Sequence, residues 1–157
     1  MGKTNVVYGN TEYVVRSNQN QVICVLDFNI KFPPELSGLA SDIIFGYEDT
    51  RKFLNDNNLS YRWINEDELY IYGKTYGYAD CLPEDKFDDI FGKKLSQTRA
   101  QTKAFDIATK VYYEFANKYK KISNKFVNLA QNSCESADKC NFHTHILIND
   151  KYNDIKL

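Results

Sequence analysis

The chain has 157 residues, with 20 Lys and Arg against 21 Asp and Glu, so its formal net charge is −1. This length suits one domain with a substantial core, and so small a charge excludes a global field that could hold or imitate a nucleic acid polymer. No apolar run approaches the roughly 18–20 residues of a membrane span, and the first residues lack the apolar segment of a secretory signal. We therefore expect a single domain over 1–157 in the cytoplasm, with reduced thiols and no membrane partner.

Two strands are predicted near the start of the chain. They cover Glu12–Arg16 and Gln21–Ile30 and flank a polar turn. The second is largely apolar and rich in β-branched residues, so we expect it to be central in the sheet. Pro33-Pro34 then ends the strand, because proline offers no N–H to a ladder. The following segment, Glu35–Gly46, is compatible with either an irregular lid-like loop or one short helix.

A short helix and a hairpin follow. Glu48–Asn57 has acids in its first turn, where they complement the helix dipole. Tyr61–Ile64 and Leu69–Cys81 then read as two strands joined by a polar turn. Gly73 and Gly77 interrupt the second strand and indicate a bulge or a second tight turn.

A long helical segment is predicted over 83–131. Pro83 suits the first helical position, where its missing N–H costs nothing, and no proline follows up to residue 130. Gly92 and Ser123-Asn124 are the weak points, which predict a kinked helix or two consecutive helices. A helix of about 45 residues spans roughly 65 Å, which is more than a small sheet can cover, so we expect a homo-oligomer. Apolar residues recur at helical spacing: Phe87, Phe91, Leu95, Phe105, Ala108, Tyr112 and Phe115.

The last segment, 132–157, is predicted to form a loop, a short strand and a polar tail. The loop covers Asn132–Asn141, and the sequence H-T-H-I-L-I at 143–148 has the composition of a strand. Residues 1–81 are mainly β with one short helix. The predicted fold is therefore α+β, with an N-terminal antiparallel sheet followed by long, kinked C-terminal helices and a short terminal strand.

Residue types that bind metals cluster in this last segment. Both histidines and two of the four cysteines lie there, at Cys134, Cys140, His143 and His145. Two thiolates and two imidazoles suit tetrahedral zinc, but their spacing matches no common structural zinc pattern. An exposed loop with ordinary thiols is the alternative, and we expect no resident metal or other cofactor.

Enzyme signatures are absent from the sequence. It contains no nucleophile elbow, no H-E-x-x-H and no glycine-rich phosphate loop. Both histidines lie near the C-terminus, so an acid–base pair is hard to build elsewhere. The acids Asp85, Asp88 and Asp89 stand at a predicted helix start, where caps and dipole complements explain them better. The sequence therefore predicts a chain that is not an enzyme.

A polar stripe on the predicted helix is the candidate binding face. Arg99, Lys103, Asp106 and Lys110 follow in steps of four, three and four, which puts them on one side of a helix. A solvated face with an ion pair between Asp106 and either lysine is one explanation. The other is a set of cations facing an anionic ligand at an oligomer interface, since guanidinium binds phosphate in bidentate fashion. The other arginines that could contribute are Arg16, Arg51 and Arg62.

A local motif lies within residues 76–100. It consists of Gly77, Ala79, Cys81, Pro83-Glu84-Asp85, Phe87-Asp88, Gly92, Leu95 and Arg99-Ala100. These residues resemble small phage-encoded proteins in which a hairpin ending in A-x-C-x-P-E-D-x-F-D precedes a G-x-x-L-A-x-x-R-A helix. The sequence departs from that pattern at Ser96, where Ala is usual, and at Leu82, where a capping Ser or Asn is usual.

Among characterised phage proteins, the layout is similar to the anti-Thoeris sponge family. The resemblance implies an oligomer that sequesters cyclic ADP-ribose isomers, made by host TIR enzymes, without degrading them. It implies that Arg99 holds a phosphate, and helix geometry adds Lys103 one turn later. The expected function is therefore phage anti-defence and immune evasion in the host cytoplasm, by binding a small anionic cyclic nucleotide. The alternative is a protein-binding inhibitor of a bacterial defence effector, comparable to an anti-CRISPR.

Overall fold

The structure is a computed structural model, and it describes residues 5–82 and 86–155, with side chains as far as residue 153. The chain divides into two compact units, residues 1–116 and residues 117–157. A 3-10 turn at Ser17–Gln19 joins the first two strands. The elements in chain order are β1 (Val6–Arg16), β2 (Gln21–Lys31), α1 (Pro34–Gly46), α2 (Glu48–Asp56), β3 (Ser60–Ile64), β4 (Glu68–Asp80) and α3 (Asp89–Ile155).

The four strands form one antiparallel sheet in the order β1-β2-β4-β3. The predicted central position of β2 is confirmed, because it pairs with β1 on one side and β4 on the other. β4 pairs with β2 from residue 70 to residue 80 without a register shift. The bulge or turn predicted at Gly73 or Gly77 is therefore wrong. The irregularity of the sheet lies in β1 instead, between Tyr8 and Thr11.

One face of the sheet carries the core. Residues directly opposite each other on neighbouring strands share a face, and here the inward residues of β2 face the inward residues of β4. The tyrosines of β4 alternate to the other face and stay at least partly exposed. The buried residues on this face of the two strands are Val22, Cys24, Leu26, Phe28, Ile30, Leu69, Ile71, Thr75, Gly77 and Ala79.

The segment after Pro33 is a helix, which decides between the two alternatives left open by the sequence. Pro34 occupies the first turn of α1, where its fixed φ and missing N–H are tolerated. The buried Ser37 ties α1 to the sheet, because its hydroxyl donates to Phe32 O at 3.0 Å and accepts from the Leu69 N–H at 3.1 Å. The helix predicted at Glu48–Asn57 is confirmed as α2, with Leu54 buried.

α3 begins later than the sequence suggested. The Asp88 carboxylate accepts from the N–H groups of Ile90 at 3.0 Å and Phe91 at 3.2 Å, which is the hydrogen bonding of an N-cap. The predicted capping role of Asp88 is therefore confirmed, and the helix starts at Asp89. The predicted first residue, Pro83, and the acids at 84 and 85 lie outside the described residues.

Small side chains form most of the packing face of α3 in the first unit, and the predicted apolar stripe is only partly right, because Ala108 and Phe115 are buried there. Phe91 and Phe105, which the periodicity placed inward, are 62% and 39% exposed. The reason is the close approach of helix and sheet at Gly77, where an added Cβ would lie 1.8 Å from Ser96 O. The Thr75 hydroxyl also donates to Ala100 O at 2.9 Å. The buried residues of this face are Ser96, Ala100, Ala104, Ala108, Val111 and Phe115.

The loop and terminal strand predicted for residues 132–148 are wrong, because α3 continues through them to Ile155. No glycine or proline follows Gly92, so nothing in the backbone forces the helix to stop. Polar side chains that were expected to lie in a loop instead form hydrogen bonds within the helix. Ser136 donates to Asn132 O at 3.1 Å, and Thr144 donates to Cys140 O at 2.9 Å. The break considered at Ser123-Asn124 is likewise not formed.

Candidate functional site

A groove of about 1170 Å³ lies along β4 within the first unit. Its walls come from the sheet, from the residues that join α2 to β3, and from α3. β3 pairs with β4 only as far as Tyr72. Beyond Tyr72, no strand in the described part of the chain pairs with this side of β4, and the groove follows that edge.

Arg99 and Lys103 both reach this edge from α3. Arg99 Nη1 donates to Tyr78 O, and Lys103 Nζ donates to Tyr76 O, each at 2.6 Å. Alternate residues of a strand direct their backbone groups to the same side, so these are carbonyls that a further strand would otherwise pair. Lys103 lines the large groove, whereas Arg99 lines an adjoining cavity of about 330 Å³ that Lys103 and Tyr78 share.

The rest of the predicted polar stripe also faces the groove. Asp106 and Lys110 line it together with Lys103. In the described part of the chain, Asp106 forms no ion pair with Lys103 or Lys110. The ammonium of Lys110 is therefore available to a ligand in the groove.

Aromatic rings and a further arginine complete the lining. Tyr72, Tyr76 and Tyr78 contribute to it, and so does Arg62 of β3. The Arg62 guanidinium stands 4.9 Å from the centre of the Tyr72 ring, and Lys103 Nζ stands 5.2 Å from the centre of the Tyr78 ring. Such distances are typical of cation–π contacts. The groove thus combines cations with flat apolar surfaces.

The other arginines serve different places. Arg51 Nη1 donates to Ile44 O and Phe45 O at 2.8 Å each, so it satisfies carbonyls at the C-terminal end of α1. Arg16 ends β1, and it does not line the groove. Of the arginines considered from sequence, Arg62 is the one that joins the lysines.

Burial changes the proton affinity of two groups in the first unit that do not line the groove. Burial raises the pKa of the Tyr112 phenol, whose hydroxyl donates to Lys31 O at 2.8 Å. Burial also raises the pKa of the Cys24 thiol on β2. Both groups therefore stay neutral at physiological pH and add no charge to this part of the molecule.

The four residues considered for zinc all lie on α3 in the second unit. Among the described residues, no group of three or more His, Cys, Asp or Glu side chains is arranged to hold a metal ion. Helix geometry separates the four, because Cys134 and His143 differ by about 180° around the axis. One chain does not bring Cys134, Cys140, His143 and His145 together.

Sequence reasoning missed the tyrosine rings and the sheet edge. Tyr70, Tyr72, Tyr76 and Tyr78 recur at even spacing, and that period of two could have indicated one face of a strand. The groove itself depends on where β3 ends relative to β4, and no local sequence pattern predicts the register in which these two strands pair.

Comparison with known proteins adds no relative. No protein-family model matches the chain, and no curated protein or solved structure is significantly similar to it. In the part of the chain that the structure describes, no helix has a stretch both long and apolar enough to cross a bilayer.

Proposed function

We propose that this chain sequesters a nucleotide second messenger of the cyclic ADP-ribose isomer type without cleaving it. It acts as a phage anti-defence protein in the host cytoplasm. The observation that carries the proposal is the convergence of Arg62, Lys103 and Lys110 on one groove that also has exposed tyrosine rings. The three cations come from two elements far apart in the sequence.

The groove matches the two chemical parts of such a ligand. A pyrophosphate needs cationic donors, and Arg62, Lys103 and Lys110 supply them. An adenine needs a flat apolar surface, and the half-exposed Tyr76 ring has no cation over it among the described contacts. Small-molecule sites occupy roughly 300–1000 Å³, so the volume of about 1170 Å³ admits a whole nucleotide.

The lining favours binding over catalysis. No histidine or cysteine is among the described residues that line the groove, so it lacks a side chain that ordinarily exchanges protons near neutral pH. Of its acids, Asp27 is paired with Lys74 at 3.7 Å. A bound nucleotide would be held and released intact.

Self-association is part of the proposal. Residues 117–153 expose large apolar side chains along α3, including Phe126 and Leu129 at 68% and 64%. Contiguous exposed apolar surface of this kind marks an interaction site, and a second copy of the chain is the proposed partner.

The test is thermal unfolding with a panel of cyclic ADP-ribose isomers and cyclic oligonucleotides. A ligand at 100 times its dissociation constant stabilises the folded state by about 2.7 kcal/mol. We expect one isomer class to raise the melting temperature, and mass spectrometry to recover that ligand unchanged after denaturation. No shift across the panel at saturating concentration would sink the proposal, and recovery of a cleaved product would make the chain an enzyme.

Matched variants locate the site. Lys110→Met and Tyr76→Leu should abolish most of the ligand-induced shift, while Lys94→Met, the same charge change elsewhere on α3, should leave it intact. Lys103→Met should weaken binding and also lower the melting temperature without ligand, since Lys103 bonds the β4 edge. Equal ligand shifts in Lys110→Met and Lys94→Met would place the ligand elsewhere.

A protein-binding inhibitor of a defence effector is the second candidate. The observation in its favour is the open face of the sheet, where Tyr72, Tyr76 and Tyr78 are exposed side by side on β4. Tyrosine is enriched in protein interfaces. A stable complex with a purified effector, lost in Tyr76→Leu and Tyr78→Leu but kept in Lys110→Met, would favour this candidate.

A further inference from the structure

We propose that Cys140 and His143 form one half of a tetrahedral zinc site, which a second copy of the chain completes. The two residues lie three positions apart on α3, so their side chains are neighbours on one helical face. Both are exposed. Cysteine thiolate and imidazole are the ligands that zinc prefers.

The helix face that carries this pair also carries the apolar seam of the second unit. Tyr119, Ile122, Phe126 and Leu129 follow at spacings of three, four and three, which is the a/d pattern of a coiled coil. The same register then passes through Ser133 and Ser136 and reaches Cys140 at an a position and His143 at a d position. It continues to Leu147, which is exposed like Tyr119, Phe126 and Leu129, whereas Ile122 is half-buried.

A parallel pair of helices would bring the four ligands together. In such a pair each a and d residue faces its equivalent in the other copy, so two thiolates and two imidazoles would meet in adjacent layers. The layers lie about 4.5 Å apart along the axis, which is compatible with Zn–S bonds of about 2.3 Å and Zn–N bonds of about 2.0–2.1 Å. Each thiol gives its proton to solvent when the metal binds.

The residues beside the seam allow this pairing. In a parallel pair the e positions of one helix face the g positions of the other. The e positions are small and uncharged, so Lys125 and Lys139 at g positions meet no like charge. Ser133 and Ser136 leave the middle of the seam without apolar contacts, so zinc would supply what the seam lacks. The e residues are Ser123, Ala130, Ala137 and Thr144.

The two remaining candidates of the sequence serve as controls. Around the axis, Cys134 lies about 120° from Cys140, and His145 lies about 160° from His143. Neither can join the site in a parallel pair. The proposal therefore separates four residues of the same chemistry into two that bind metal and two that do not.

The experiment uses the full chain, stripped of metal with a chelator and kept in reductant. Titration with Co²⁺ should develop the absorption of tetrahedral thiolate coordination, with an end point of one metal per two chains. Sedimentation equilibrium should show that Zn²⁺ increases dimer formation. Cys140→Ser and His143→Ala should bind Co²⁺ at least a hundredfold more weakly, whereas Cys134→Ser and His145→Ala should match the wild type. Circular dichroism should report the same helix content in all five proteins.

Other results would overturn the proposal. One metal per chain, a metal-bound monomer, or equal loss of Co²⁺ in Cys134→Ser and Cys140→Ser would do so. So would the absence of metal binding in reductant. A dimer that survives the chelator and dissociates only with reductant would be a disulfide, and would also contradict it.

Discussion

Two stretches of the same helix meet different surroundings. In the first unit, α3 turns Ser96, Ala100 and Ala104 to the sheet, and all three are fully buried. In the second unit, α3 carries larger apolar residues such as Phe126 and Leu129, and they are exposed. Burial on α3 thus follows the shape of the opposing surface and not the size of the apolar side chain, since close packing requires small residues where backbones approach.

The comparison also concerns stability. Most helices in proteins are stabilised by packing an apolar face and only weakly by propensity. The stretch at 96–111 has that packing, whereas the large apolar side chains at 119–147 are exposed, apart from the half-buried Ile122. Four predictions test this contrast, from the largest expected effect to the smallest.

The close approach of α3 to the sheet should fail when Gly77 gains a side chain. An added Cβ would lie 1.8 Å from Ser96 O and 2.6 Å from Ala100 N, and both are backbone atoms that cannot rotate away. We expect Gly77→Val to lower the free energy of unfolding by about 3 kcal/mol, which is the upper part of the range for overpacked cores. Urea titrations of the two proteins would measure this difference.

Gly38 provides the control for that substitution. Nothing lies within 4 Å of a Cβ added at this exposed position of α1. Gly38→Ala should therefore stabilise the protein by roughly 0.5–1 kcal/mol, because alanine is the better helix former. A Gly77→Val protein as stable as the wild type would mean that α3 does not pack so closely.

The exposed stretch should respond in association and not in unfolding. A charge at Phe126, in the proposed seam between copies, should weaken self-association at least tenfold, or about 1.4 kcal/mol, by sedimentation equilibrium. The Phe126→Asp protein should keep its unfolding free energy as a monomer. Asn124→Asp adds the same charge about 160° away around the helix, and it should change neither the self-association nor the unfolding free energy. Equal association of both variants would exclude this face as the interface.

The buried stretch should be sensitive to one hydroxyl. Thr75 is buried, and its hydroxyl donates to Ala100 O at 2.9 Å. Thr75→Val should therefore lower the free energy of unfolding by about 1 kcal/mol, measured by chemical denaturation. Thr102 makes an equivalent bond to Thr98 O at 2.9 Å, but it is exposed. Thr102→Val should keep an unfolding free energy within about 0.5 kcal/mol of the wild type. A larger loss of stability in Thr102→Val than in Thr75→Val would contradict the expected difference between buried and exposed hydroxyls.

The smallest effect concerns pH. Burial raises the pKa of the Cys24 thiol, so above about pH 8.5 the unfolded chain loses a proton that the native chain keeps. Stability therefore falls as pH rises through this range. Cys24→Ala removes that contribution, so its stability deficit relative to wild type should shrink between pH 8 and pH 10. A Cys24→Ala stability curve that runs parallel to the wild-type curve between pH 8 and pH 10 would contradict this account.

Local chemistry made much of the fold predictable. Pro33-Pro34 ended a strand, and the apolar run of β2 indicated its central place. Asp88 was one of three acids assigned to capping and dipole roles at the helix start, although the helix was predicted to begin at Pro83. The lysines and Asp106 of the groove could be chosen because the step of a helix alone places them on one side.

The rest depended on distant partners. The aromatic stripe on α3 looked like a core face, but Gly77 and Thr75 favour small neighbours there, and neither is near α3 in sequence. The terminal strand was predicted from the composition of residues 143–148, yet they belong to a helix in which neither glycine nor proline follows Gly92. Arg99 and Lys103 were chosen for a ligand, and their bonds to the edge carbonyls of β4 could not be foreseen without the sheet register.

Those two bonds have a consequence for how the protein behaves at high concentration. An unpaired strand edge is a template for edge-to-edge aggregation, and proteins block such edges with charged side chains. Arg99 uses one of the five N–H donors of a guanidinium on Tyr78 O, and Lys103 uses one of three on Tyr76 O. Donors therefore remain on both side chains, so Lys103 can cover the sheet edge and still contribute to the phosphate site proposed for the groove.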